Sequence, residues 1–186
     1  MVQVKESGYQ EVKAKFESLV TDLTKMEYLE SALKLSDVSM DVKKFAYLML
    51  TDLYEKRLMF DKAAKVMCAK AGYDITFREK IDSYLRAAEL YAKSGNILLA
   101  EDMFLRATRE GNSEQQAKVA LARKNIYFSV ANEMEKRARM ANAVKFYEHL
   151  LTLKLDELEK SLIKKKLLEY YKKVGRFNDA RMVEAR

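Results

Sequence analysis

Few residues of this chain are equipped for chemistry. The only histidine, His149, stands between Glu148 and Leu150 with no partner at a metal-ligand or nucleophile spacing, so it reads as a packing or solvent-side residue. The only cysteine, Cys68, lies beside Met67 in an apolar-periodic stretch and reads as a buried, inert thiol. A lone cysteine also forms no internal disulfide, which points to a reducing, cytoplasmic setting. Gly-rich phosphate loops, CxxC pairs and dinucleotide fingerprints do not occur. Carboxylates are plentiful, but they alternate with Lys and Arg in the manner of solvated helix faces. The expectation is a protein that is not an enzyme and has no metal and no cofactor.

Charge offers the next handle. Residues 1–112 carry 18 Lys/Arg and 18 Asp/Glu, whereas 113–186 carry 17 and 10, so the whole formal charge of +7 lies in the C-terminal part. An acidic partner would meet that end. There Lys164, Lys165 and Lys166 precede Tyr170, Tyr171, Lys172 and Lys173, a mixture able to contact phosphates and stack on bases. Three consecutive lysines, however, point around more than half a helix turn, and Tyr171 is needed elsewhere for packing. The solvated face is the stronger reading, with nucleic-acid binding second.

The elements that position these residues repeat. An aromatic residue or Met stands nine positions before an Ala four times: Tyr54 and Ala63, Tyr91 and Ala100, Met134 and Ala143, Tyr171 and Ala180. The first members are separated by 37, 43 and 37 residues, a period belonging to stacked supersecondary units. Tyr47, Tyr84 and Tyr127 stand seven residues before the first three anchors. With Leu50 and Thr51, Ala87 and Ala88, and Val130 and Ala131, they define one apolar stripe per first helix. A break follows, marked by Gly95 and Gly175, and a second helix is predicted to start at Phe60, Ile97, Met140 and Phe177. Its small Ala permits close approach, and Met67, Phe104 or Tyr147 fills the groove four residues on.

Thr76 with Glu79, and Ser113 with Gln116, have capping-box spacing after the connectors Ala71–Asp74 and Glu110–Asn112. The third long unit exceeds its neighbours by six residues, which a longer first helix from Ser113 to about Lys136 accommodates. Zero Pro, five Gly, 49% hydrophobic and 34% charged residues describe amphipathic helices throughout. No stretch approaches the roughly 20 apolar residues of a membrane span. The opening MVQVKESGYQ lacks the apolar run of a secretory signal.

The stretch Tyr84 to Phe104, YLRAAELYAKSGNILLAEDMF, resembles the tetratricopeptide repeat (TPR), departing chiefly by Ala88 where the family prefers Gly. The last copy departs further, with Lys164, Leu168 and Glu184 at family positions. A degenerate first copy is read from Phe16, Leu19, Val20 and Leu23, followed by Ala32. The resemblance implies an all-α fold, a right-handed α-solenoid of about five antiparallel helix pairs in one domain. Its units are roughly 9–38, 41–75, 76–112, 113–155 and 156–186.

The same resemblance implies a non-catalytic scaffold or adaptor whose first helices line a concave groove for a peptide or partner helix. The groove positions carried over are Met49 and Asp52; Asp82, Arg86 and Glu89; Asn125, Ser129 and Asn132; and Lys165, Lys166 and Glu169. The clamp that holds chaperone tails in this family needs Lys and Asn where this chain has Leu48 with Asp52, Leu85 with Glu89, and Phe128 with Asn132, so no such clamp is expected. Alternatives are an RNA- or ribonucleoprotein-associated adaptor using the basic end, or an attachment adaptor of the membrane-fusion type. Phe177, Met182 and Val183 at the C-terminal edge suggest a docking end or a homodimer contact.

Overall fold

The computed structural model describes residues 8–184, which form ten α-helices and, among the described residues, no strand. In order they are α1 (Tyr9–Ser18), α2 (Asp22–Lys34), α3 (Met40–Lys56), α4 (Phe60–Lys70), α5 (Phe77–Lys93), α6 (Ile97–Glu110), α7 (Ser113–Lys136), α8 (Met140–Leu150), α9 (Glu157–Lys173) and α10 (Phe177–Glu184). A short 3₁₀ turn, Ala71–Tyr73, follows α4. All four second helices start at the residues read from the sequence. At 24 residues, α7 is the longest helix; α3, α5 and α9 have 17 each. The chain divides into two compact units between Val119 and Ala120, inside α7.

In the first unit each helix packs on its neighbours in sequence, α1 on α2 and α3, and then stepwise through α6. Ala63 on α4 and Ala100 on α6 are fully buried, and so, nearly, are Tyr54 on α3, Tyr91 on α5 and Phe104 on α6. One polar knot sits in this core. Lys70 Nζ donates to Asp74 Oδ1 (2.7 Å) and to Ser83 Oγ (3.1 Å), and Ser83 Oγ donates to Asp74 Oδ2 (2.5 Å). All three residues are buried, so the knot pins the 3₁₀ turn against α5 with every partner satisfied.

In the second unit α9 packs on α8 and α10, and the α7 ring of Tyr127 lies 6.1 Å from that of Phe146 on α8. Ala143 and Ala180 repeat the roles of Ala63 and Ala100, both buried.

Four turns join first to second helices, and they share one geometry. Leu58, Gly95, Ala138 and Gly175 all have positive φ, at 59°, 88°, 54° and 76°. In each, the next residue's N–H donates to the anchor's carbonyl: Met59 to Tyr54, Asn96 to Tyr91, Arg139 to Met134, Arg176 to Tyr171, at 2.8 to 2.9 Å. A second bond runs from the positive-φ residue itself to the carbonyl three back, as from Gly95 to Ala92. These are Schellman endings, and each satisfies carbonyls that the helix leaves open. The anchor residue therefore does two jobs, burying its side chain and closing the turn with its carbonyl.

Two expectations need correction. Phe16, Leu19, Val20 and Leu23 do not share a helix, because α1 ends at Ser18 and Val20 is 93% exposed in the link. Thr21 caps α2 by accepting from the Thr24 N–H, which starts a new helix in the middle of the supposed stripe and puts Leu23 and Ala32 on the same helix. The cap of α7 is also one residue earlier than read. Asn112 Oδ1 accepts from the Gln115 N–H and Gln115 Oε1 accepts from the Asn112 N–H, both at 2.9 Å, leaving Ser113 as the first helical residue. Thr76 and Glu79 form their capping box as expected, and Asp156 with Glu159 forms another.

Candidate protein-interaction site

The sequence-derived groove residues fall on α3, α5, α7 and α9, and the structure joins some of them into two charged clusters. In the first unit Arg86 pairs with Glu55 of α3 and with Glu89 (2.6 Å), while Lys93 bridges Glu55 (3.1 Å) and Glu89 (2.8 Å). Asp52 stands beside them. Partial desolvation pushes its carboxyl up, Arg86 opposes that, and Glu55 adds to it. Glu89 ends below the usual carboxylate range: burial acts upward, but hydrogen bonds and charges from Lys93 and Arg86 outweigh it. In the second unit Lys166 donates to Glu135 (2.8 and 3.0 Å), to Asn132 Oδ1 (3.2 Å) and to the Tyr147 hydroxyl (2.8 Å). Glu135 is likewise held down, burial being overcome by hydrogen bonds from Lys166, Tyr147 and Tyr170.

The two clusters are copies. Glu55 to Arg86 and Glu135 to Lys166 span the same interval, as do the pairs Lys44–Glu79 and Lys124–Glu159 that tie the other ends of the same helices. Glu89–Lys93 recurs as Glu169–Lys173. Each of these pairs maps onto its counterpart by a shift of 80 residues without a gap, which carries α3–α6 onto α7–α10. Pairs this exposed contribute only about 0.2–1 kcal/mol each, so they fix helix register more than they stabilise.

Several candidates therefore have partners within the protein: Arg86, Glu89, Asn132, Lys166 and Glu169 are engaged. Met49 is half-buried on α3, and Asn125, Ser129 and Lys165 are exposed. Asp82 is exposed and lines a recess that combines apolar and charged walls, a cleft of about 490 Å³ in the first unit. Arg78, Ile81, Asp82 and Leu85 of α5 form one wall, and residues from Asn112 to Val119 form the other. Among the described residues, neither Arg78 nor Asp82 makes an ion pair, whereas Lys118 is tied to Glu114 (2.6 Å).

Sequence reasoning missed Glu55, Lys93, Glu135 and Tyr147. The signal was present, since a Glu directly follows the anchors Tyr54 and Met134.

The residues with chemical potential are occupied structurally. His149 packs edge-on against Tyr127, ring centroids 4.8 Å apart. Cys68 is half-buried rather than buried; desolvation pushes its thiol up, with Arg106 opposing. The rings of Tyr170 and Tyr171 are buried, Lys172 pairs with Glu184 (3.2 Å) and Lys173 with Glu169 (2.6 Å). Among the described residues there is no cluster of metal-ligating side chains, and no helix is long and apolar enough to cross a membrane.

A scan against protein-family models and a search of curated proteins both found no match.

Proposed function

We propose that this chain is a TPR-like helical-repeat protein that binds rather than converts, a cytoplasmic scaffold taking a peptide or partner helix on the faces of its first helices. The observation that carries the reading is the α5 cleft. Its apolar floor of Ile81, Leu85 and Val119 suits a side chain, and the uncommitted Arg78 and Asp82 at its side suit the polar backbone or charges of an extended ligand. Chemistry has no comparable support, because the thiol is half-buried and pushed up by desolvation, away from the thiolate, and the imidazole packs against Tyr127. The repeated Schellman turns support the repeat assignment, since they place a buried anchor and a buried Ala in the same relation four times.

The test is affinity capture from the source cell with the unmodified chain, with a Leu85→Asp variant and with a Lys165→Glu variant, each with and without nuclease. A protein retained by the unmodified chain, lost with Leu85→Asp and indifferent to nuclease supports the reading. Partners unchanged by Leu85→Asp overturn it. Partners lost with nuclease and with Lys165→Glu transfer it to RNA.

A further inference from the structure

We propose that the exposed face of the N-terminal half of α9 is a docking site for an acidic amphipathic helix of a partner protein. The shift of 80 residues that superimposes the two copies in sequence equates Arg78, Ile81, Asp82 and Leu85 of α5 with Leu158, Ser161, Leu162 and Lys165 of α9. On α5 these four positions form one wall of a cleft whose other wall is helical, the first two turns of α7. On α9 they are open: Leu158 is 84% exposed and Leu162 52%. A second, shallow recess of about 350 Å³ adjoins them, lined by Glu157, Lys160, Ser161, Lys164, Lys165 and Leu168. The chain thus carries one helix face walled in on one side by another helix, with Ile81 buried, and an equivalent face left open, with two apolar residues at these four positions in each and both of those on α9 exposed.

The chemistry of the face selects its occupant. Leu158 and Leu162 are one turn apart, and Leu168 lines the adjoining recess. The run from Leu158 to Leu168 is about 15 Å long at 1.5 Å per residue, matching roughly three turns of a second helix. Lys164 and Lys165 flank the leucines and, among the described residues, make no ion pair, whereas Lys160 is held by Glu157 at 2.7 Å. The surplus positive charge of the chain lies in this C-terminal part. Acidic side chains flanking an apolar stripe would meet both features. A second copy meeting this face isologously would set Lys164 and Lys165 against themselves. A nucleic acid would leave the leucines uncovered and would find the neighbouring tyrosine rings buried.

The inference rests on the scaffold reading and gives it a second surface and a partner class, and the two fail separately. The probe is a synthetic 18-residue helical peptide with Leu at every third or fourth position and Glu on both flanks, beside a twin in which Lys replaces Glu. Binding to the full chain is read by fluorescence anisotropy at low and moderate salt, with circular dichroism confirming that each variant keeps its helices. The Glu peptide binds and the Lys twin does not. Leu158→Ser with Leu162→Ser weakens the Glu peptide by at least about tenfold, as expected for removing central apolar anchors. Lys164→Glu with Lys165→Glu abolishes it and confers binding of the Lys twin, a reversal that a merely structural change would not give.

Leu85→Asp in the α5 cleft leaves all of this unchanged, so loss at α9 alone removes this inference while the cleft reading stands. No binding of the Glu peptide, equal binding of both peptides, or indifference to the leucine variants overturns the proposal. A concentration-dependent dimer dissolved by Leu162→Ser overturns it in favour of a second copy, and displacement of the Glu peptide by a single-stranded RNA oligomer does so in favour of nucleic acid.

Discussion

Replacing Ala138 by Gly should stabilise this protein, and replacing Gly95 by Ala should destabilise it, because the two residues occupy the same left-handed turn in different copies. Gly95 has φ of +88° and Ala138 +54°. An L residue in that region meets its own carbonyl at a cost of about 1–2 kcal/mol, while Gly incurs none. Opposing this, Gly carries more unfolded-state freedom, worth about 0.4–1 kcal/mol against Ala. The net change is close to 1 kcal/mol in each direction. A Cβ built on Gly95 meets nothing within 4 Å, so the effect there is purely of the backbone. Leu58, at φ +59°, is a third case: it is 64% exposed, and Leu58→Gly gives up the buried third of a side chain worth about 1.5–3 kcal/mol when fully covered. That loss cancels most of the conformational gain.

The expected order of stability is Ala138→Gly above Leu58→Gly, with Leu58→Gly close to the unmodified chain and Gly95→Ala lowest. Urea titrations followed by far-UV circular dichroism measure it, and a change of 1 kcal/mol corresponds to about 2–4 °C in Tm for a chain of this size. Ala138→Gly less stable than the unmodified chain, together with a neutral Gly95→Ala, would refute the argument that the four turns share one ending.

Asp74→Ala should cost about 3 kcal/mol, since it strands the Lys70 ammonium in the core with only Ser83 as partner; restoration by Lys70→Met in the same background, measured by urea titration, isolates the stranded charge from simple loss of packing. Glu89 and Glu135 both have carboxyls held below their unfolded value, so their contribution is complete above pH of about 4.3 and is lost as pH falls through their lower folded values. Thermal melts from pH 6 to pH 3 should therefore fall less steeply for Glu89→Gln with Glu135→Gln than for the unmodified chain, and parallel curves would refute the assignment.

Much of the architecture was legible because it is written in apolar residues at fixed intervals. Phe60, Ile97, Met140 and Phe177 follow breaks and precede an Ala three residues on, and helices begin at all four. Other features were illegible for physical reasons. Leu58 and Ala138 hide a left-handed turn because neither is Gly, so only the periodicity points to it. Phe16 to Leu23 has helical spacing, but spacing does not record that Thr21 caps a new helix inside it. Asn112 and Ser113 are both good caps, and the choice is decided by Gln115, whose side chain reaches back to the Asn112 N–H. Glu55 and Glu135 read as solvated charges because their partners Arg86 and Lys166 lie on a different helix, beyond any local window. Of the candidate groove residues, Arg86, Asn132 and Lys166 are engaged by partners on other helices, which sequence spacing does not record, whereas Glu89 and Glu169 pair with Lys93 and Lys173 four residues on along their own helices.

The spacing of the ion pairs also bears on what the repeating block is. Lys44–Glu79 with Glu55–Arg86 ties α3 to α5, and Lys124–Glu159 with Glu135–Lys166 ties α7 to α9. The corresponding positions for the step from α5 to α7 hold Ile81 and Ala92 on one helix and Ala122 and Ser129 on the other, none of them charged. That is also where the interval lengthens from 37 to 43 residues and where the compact units divide. A pair of charges at each end of two helices penalises a slipped register, in which like charges would face each other, and so fixes the alignment at little gain in stability. Register is specified in this way inside each four-helix block and not by these positions between blocks. The alternation of 37 and 43 is then the signature of a four-helix block used twice, within which the helix pair is the smaller repeat.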